Sequence, residues 1–250
     1  MEYIEHDEQL GAEIRWKNAE IVFSKTTHRG TLLEFVQRPR WGLSCYMNGY
    51  IQSCLSDEKI YHKQLTDNVI YSGKIAIFGG GEGATARDIL KNSVQHIETV
   101  DMFEWDADVV DIFRTKFTEW GAGVWNDSRL HIYNYDIFEH ISKIPDNEYT
   151  SLVVDLFEPH DQPEDTWKVL FENMYRIMKQ GGTFSMYAGM YPHTGEIYIQ
   201  HIFCAMLRKV GFFNVRFVVG ENIPSYLGQP IFIYGSKKTV HDFIFESERE

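Results

Sequence analysis

The chain has 250 residues, 44% hydrophobic, 15% aromatic and 24% charged, enough for one large domain or a domain with a small appendage and too apolar for a disordered chain. A formal net charge of -12 disfavours nucleic acid and anionic lipid, whose binding rests on Lys and Arg clusters, and favours cationic partners. Cys45, Cys54 and Cys204 form no CxxC pair and no disulfide framework, the first ten residues lack signal features, and no run approaches about 18 apolar residues; a cytosolic protein is the expectation.

From residue 13 to about 54 the chain is rich in β-branched and aromatic residues. Short alternating runs at 21–24, 32–36 and 43–47 are separated by turn signals at Arg29-Gly30, 39–42 and Asn48-Gly49, and Asn-Gly is a strong hairpin signal because both residues tolerate positive φ. This part reads as a small antiparallel β domain over residues 1–70. From Lys74 onward apolar strands alternate with amphipathic helices: strands at 74–78, 97–103, 129–135, 149–157 and 183–189, helices at 84–92, 106–117, 165–179 (ended by Gly181-Gly182) and near 196–210, and late strands near 213–219 and 231–234. Such alternation predicts parallel βαβ units, hence a Rossmann-like, doubly wound α/β domain of the class I methyltransferase type over residues 71–250.

The sharpest motif is GGGEGATAR at 79–87, where a strand ends and a helix begins. Glycines there, Gly79 and Gly81 among them, admit close approach of a ligand, and an acid about 20 residues on, Asp101 or Glu104, suits a ribose diol. Glu82 changes the reading from a dinucleotide: a carboxylate at a helix N-terminus repels a pyrophosphate. It suits a nucleoside bearing a cation, such as S-adenosylmethionine or its decarboxylated form. Asp136 ends the next strand, within reach of an adenine amino group, and VVDLFEP at 153–159 ends a further strand in Asp155, with Glu158 three residues on. Ligands of parallel α/β sheets bind outside the carboxyl ends of the strands, so these acids are expected around one crevice.

Taken together, these motifs resemble the spermidine and spermine synthase family, the polyamine aminopropyltransferases, over residues 21–238. NGYIQSCLSDEKIYHKQL (48–65), GGGEGATARDILKN (79–92), FEWDADVV (103–110), VVDLFEP and IPSYLGQ (223–229) follow the family's motifs in order. The resemblance selects Glu104 over Asp101 for the ribose. It implies that Gln52 and Tyr61 contact the nucleoside or the transferred group, His62 the aminopropyl side, Glu82 its ammonium and Asp136 the adenine. Asp155 falls on the catalytic acid, and Glu158 and Tyr226 fall on residues that hold the acceptor amine. Decarboxylated S-adenosylmethionine would be a co-substrate with no permanently bound cofactor and no metal, the partner a polyamine, and the assembly a homodimer or homotetramer. Two departures bear on the amine: Glu158 replaces a shorter Asp, and HDQPEDTW (160–167) lacks the usual continuation. An acidic funnel of Asp155, Glu158 and Asp161 is the corresponding expectation, with a preferred diamine that differs in length from putrescine, diaminopropane being the shorter candidate. A small-molecule methyltransferase and a non-catalytic ligand-binding relative are the alternatives. Trp120, Trp125 and Trp167 read as packing residues, and the terminal FESERE as a frayed end.

Overall fold

In the computed structural model, which describes residues 2–7, 11–92, 96–191 and 198–238, the chain opens with a hairpin of β1 (Glu2–Asp7) and β2 (Ala12–Lys17). A four-stranded antiparallel sheet follows, made of β3 (Glu20–Thr26), β4 (Leu32–Arg38), β5 (Gly42–Met47) and β6 (Tyr50–Cys54). The Asn-Gly signal is realised as expected: Asn48 (φ 52) and Gly49 (φ 85) are both left-handed, and Met47 pairs with Tyr50 across the two-residue turn. The first hairpin extends the β region beyond its expected start at residue 13. Its signal is a period-two burial in which Tyr3 and Glu5 turn inward and Ile4 outward, the reverse of what hydropathy alone indicates.

After α1 (Glu58–Leu65) the chain builds the large sheet: β7 (Gly73–Gly79), α2 (Ala84–Asn92), β8 (Ile97–Phe103), α3 (Ala107–Thr115), β9 (Leu130–Tyr133), α4 (Ile137–His140), β10 (Tyr149–Asp155), α5 (Glu164–Ile177), β11 (Met178–Met190), α6 (Tyr198–Val210), β12 (Phe213–Val219) and β13 (Pro230–Ser236). The strand order is β12-β13-β11-β10-β7-β8-β9. The pairs from β9 through β11 are parallel, while β13 runs antiparallel to both its neighbours. This is the doubly wound sheet that the sequence predicts, and it packs a core on each face. One joins Trp167, Phe171 and Phe203 of α5 and α6 to Leu152 and Phe184; the other joins Tyr61 and Leu65 of α1 and Ile89 of α2 to Ile75, Ile77 and Phe232. The four-stranded sheet lies against α3 through Leu33, Phe35, Val109, Phe113 and Trp120.

Three details differ from the sequence reading. Gly181-Gly182 does not end a helix: α5 stops at Ile177, β11 begins at Met178, and the glycines lie inside the strand. Gly181, at φ 74, sits in a bulge that shifts the register against β10, and a Cβ on Gly182 would stand 2.8 Å from the Thr150 carbonyl oxygen. The strand expected over 129–135 is shortened to Leu130–Tyr133, because the chain turns into the cap of α4. Of the helix expected near 196–210, Tyr198–Val210 is helical; residues 196 and 197, like the terminal FESERE, lie outside the described residues. Trp120 and Trp167 are core side chains, and Trp125 packs on Gly83 and Gly121. Among the described residues no helix is long and apolar enough to cross a membrane.

Candidate active site

Strand order reverses between β7 and β10, the place where doubly wound sheets open a crevice for ligands. At that point Gly79 pairs with Asp155. Gly79 takes φ +89, and a Cβ there would lie 2.0 Å from the Asp155 carbonyl oxygen, so this glycine admits the close approach of the neighbouring strand. Gly81 meets the end of β8, where its N–H donates to Glu104 Oε2 at 3.2 Å while the Asp106 N–H donates to Oε1 at 3.1 Å. Burial raises the Glu104 carboxyl to about 7, against the pull of those backbone hydrogen bonds. Of the two acids near this strand end, Glu104 therefore faces the glycine turn. Asp101 lies elsewhere, accepting from Tyr149 Oη at 2.9 Å and 3.1 Å from His131 Nδ1. It lines a separate cleft of about 630 Å³ together with Lys74, Tyr133, Tyr135 and Lys143, which Glu104 does not line.

Helix α1 supplies the next shell. Glu58, Tyr61, His62 and Leu65 form its inward stripe at helical spacing. His62 Nδ1 is 2.9 Å from Glu58 Oε2, and Nε2 is 2.7 Å from Glu82 Oε1. Arg87 of α2 closes the chain, donating to both Glu58 oxygens at 2.9 Å and to the Trp120 carbonyl at 2.6 Å. Burial opposes charge on His62, but Glu82 and Glu58 outweigh it and hold the imidazole well above its ordinary range. Burial likewise opposes charge on Glu58, and the bonds from His62 and Arg87 pull its carboxyl down to about 2. The result is a buried line of alternating charge, Arg87, Glu58, His62, Glu82, whose free end is the glycine-turn carboxylate.

Asp155 lies beside this line and accepts from Tyr61 Oη at 2.5 Å. Burial raises its carboxyl to about 6; the His62 charge and the Tyr61 bond offset part of that, and Glu82 adds to it. Three tyrosines gather here, with Tyr187 and Tyr226 centred 5.9 and 6.3 Å from the Tyr61 ring. Tyr187 Oη donates to Glu158, Tyr226 Oη to the Gln52 carbonyl oxygen. Asp155, Glu82, His62, Tyr61, Glu158 and Tyr226 are thus gathered beyond the carboxyl ends of β7 and β10.

The remaining predicted residues are arranged differently. The Gln52 side chain is exposed and donates to its neighbour's carbonyl at Tyr50, 3.3 Å away, so only its backbone meets Tyr226. Asp136 serves α4 as its N-cap, accepting from the Phe138 N–H at 2.9 Å. Asp161 closes a capping box with Glu158, accepting from its N–H at 3.2 Å, so the funnel's third acid is committed to a local turn. Glu58, Arg87 and Tyr187 are site residues that sequence reasoning missed; the i,i+4 spacing of Glu58 and His62 is the one signal available for them.

With this geometry in view, comparison with known proteins is informative. A family model described as the spermine/spermidine synthase domain matches residues 55–245. The polyamine aminopropyltransferase of Sulfurisphaera tokodaii is 33% identical over 168 residues, 64% of this chain and 54% of the relative. That of Korarchaeum cryptofilum is 26% identical over 238 residues, 94% of this chain and 72% of the relative, and that of Saccharolobus islandicus is 30% identical over 177 residues, 68% and 57%. The matched stretch therefore spans little more than half the length of the first and third of these relatives. In fold, a spermidine synthase solved with the transition-state analogue AdoDATO superposes with a TM-score of 0.82 at 22% identity, covering 95% of this chain and 80% of that one; the Thermotoga maritima spermidine synthase gives 0.77 at 21%, covering 95% and 79%. A match over most of the chain to that family model, on the sheet that the fold similarity also shows, establishes that this chain belongs to the spermine/spermidine synthase family.

Proposed function

We propose that the protein transfers an aminopropyl group from decarboxylated S-adenosylmethionine to a small di- or polyamine, releasing methylthioadenosine. The observation that carries this reading is the pair Glu82 and Asp155, two carboxylates facing one crevice at the strand-order reversal of a family member. In this reading Glu104 takes the ribose hydroxyls and the Asp136 oxygen not used in the helix cap takes the adenine, with the Gln52 backbone, Tyr61, Gly79 and Gly81 lining the nucleoside side. Glu82, steadied by His62, takes the donor's ammonium. The amine nitrogen attacks the carbon beside the sulfonium, the C–N bond forms as the C–S bond breaks, and the electron pair left on sulfur gives a neutral thioether. Positive charge passes from sulfur to nitrogen, so the work left to the protein is alignment and proton removal.

Asp155 is the proposed base. An alkylamine with a pKa near that of Lys, about 10.4, is almost wholly protonated at neutral pH and cannot attack. Raising Asp155 by burial narrows the gap to that amine, at about 1.4 kcal/mol per pKa unit, while leaving it ionised at pH 7. Glu158 and Tyr226 complete the acceptor side. Residues 1–70 act as the N-terminal β domain, which lends α1 to the site, and 71–250 as the catalytic domain of a cytoplasmic homodimer or homotetramer. Sedimentation at micromolar concentration is expected to give a dimer or larger.

Donor choice tests the reading. Intact S-adenosylmethionine carries a carboxylate next to its ammonium, which Glu82 repels at short range. Calorimetry is expected to show the decarboxylated donor binding more tightly than the intact one. Equal or tighter binding of the intact donor would replace aminopropyl transfer by methyl transfer.

A further inference from the structure

We propose that Asp57 and Gln64, one at each end of α1, are positioning residues that hold the loop of Tyr226 over the acceptor side of the crevice; this rests on the function proposed above. Asp57 stands at the N-cap of α1, where an aspartate ordinarily accepts a hydrogen bond from the first turn of its own helix. Here it makes no such bond. Both oxygens reach instead to Ser225, one accepting from its N–H at 2.8 Å and the other from its hydroxyl at 2.7 Å. The Ser225 carbonyl is held as well, by fully buried Arg38 of the β sheet at 3.4 Å. Seven residues along α1 from Asp57, the Gln64 side-chain oxygen accepts from the Glu221 N–H at 2.6 Å.

The loop between β12 and β13 is thereby pinned at two points to the helix that carries Tyr61 and His62 between them. Between the pins the loop closes on itself through Ile223 N–H to the Gly228 carbonyl at 2.8 Å and a short turn over Pro224–Tyr226. It holds Leu227 at φ 55, a left-handed conformation that a leucine does not adopt unaided. A conformation of that kind persists only where surrounding contacts over-determine it, and the bonds to Asp57, Gln64 and Arg38 are such contacts. Tyr226 is the next residue after Ser225, so fixing all three polar backbone and side-chain groups of Ser225 fixes where its backbone stands, from which its Oη reaches the Gln52 carbonyl oxygen. Because α1 carries both pins, it sets donor-side and acceptor-side groups on one rigid element.

The test uses the full chain with Asp57→Asn, Gln64→Leu and the milder Ser225→Ala, which deletes only the hydroxyl contact. The expected result for Asp57→Asn is a rise of about tenfold or more in the KM of the diamine, the scale of one charge-assisted hydrogen bond, with donor affinity by calorimetry unchanged. Amide exchange over residues 221–229 should quicken by a similar factor. Gln64→Leu, which removes the second pin at Glu221, and Ser225→Ala should each move both readouts in the same direction by less. Unchanged exchange at 221–229 in a folded Asp57→Asn or Ser225→Ala protein would overturn the proposal, as would equal losses in donor affinity and amine KM. Exchange needs no turnover, so a wild-type protein that transfers no aminopropyl group would refute the function alone and leave this pinning to be decided by exchange.

Discussion

Replacing Asp155 by Asn is expected to lower kcat by about 10²–10⁴-fold, the usual cost of removing a general base, while donor affinity stays near wild type. The expectation follows from where the carboxylate stands: at the end of β10, bonded to Tyr61 Oη and beside the charged His62. Asn keeps the shape and an acceptor for Tyr61 but takes no proton. The pH dependence gives the same residue a second signature. Burial lifts the folded-state carboxyl from its ordinary 3.8 to about 6, so the base form is lost as pH falls through that value. The acid limb of kcat/KM in the wild-type protein should therefore fall about tenfold per pH unit below roughly 6. Near wild-type kcat in the variant, or an acid limb near pH 4, would remove Asp155 from the role.

Arg87→Met should cost stability before it costs chemistry. The guanidinium supplies two hydrogen bonds to Glu58, whose side chain is 1% exposed; removing one partner of a buried ion pair costs about 3–5 kcal/mol when the other charge is left unpaired, and because His62 still stands 2.9 Å from Glu58 Oε2 the expected loss lies at the lower end, about 3 kcal/mol. For a chain of this size that lowers Tm by about 10 °C. The sign with pH is definite. The folded-state carboxyl of Glu58 lies at about 2 against an ordinary 4.5, so its contribution is present above the higher value and fades as pH falls toward the lower one. The gap between wild type and variant should therefore be widest at neutral pH and shrink below about 4. His62 runs the other way: held above its ordinary range, it contributes at low pH and loses that contribution as pH rises through its folded-state value. Thermal unfolding from pH 3 to 8 separates the two. An Arg87→Met protein as stable as wild type at pH 7 would show that the buried line of charge is not needed by the fold.

How much of this was legible in the sequence differs from element to element. The large sheet was, because Lys74 to Phe78 and Tyr149 to Asp155 are apolar runs that end abruptly in glycine or acid, and those ends are where a parallel sheet meets its ligand. Glu82, Glu104 and Asp155 stood out for the same reason. The first hairpin was hidden because it buries Glu5, which accepts hydrogen bonds from Trp16 and Tyr46, and polarity alone does not reveal a satisfied acid. The Gly181-Gly182 pair was misassigned because glycine marks both a helix end and a strand bulge; the difference lies in the register against β10. Arg87 and Glu58 lie 29 residues apart on different helices, Asp57 and Ser225 168 apart, so their pairing belongs to the tertiary fold. Asp136 stood out as a strand-end acid, although the bond it makes is the helix cap that such a position equally favours.

Aminopropyl transfer leaves its plainest record in the masses of the products. The protein is incubated with decarboxylated S-adenosylmethionine and linear diamines of three to five carbons, and in parallel with intact S-adenosylmethionine. The expected products, with the decarboxylated donor only, are an amine heavier by one aminopropyl group and an equal amount of methylthioadenosine. A methylated amine from the intact donor, or no change in any amine with the decarboxylated one, would contradict aminopropyl transfer.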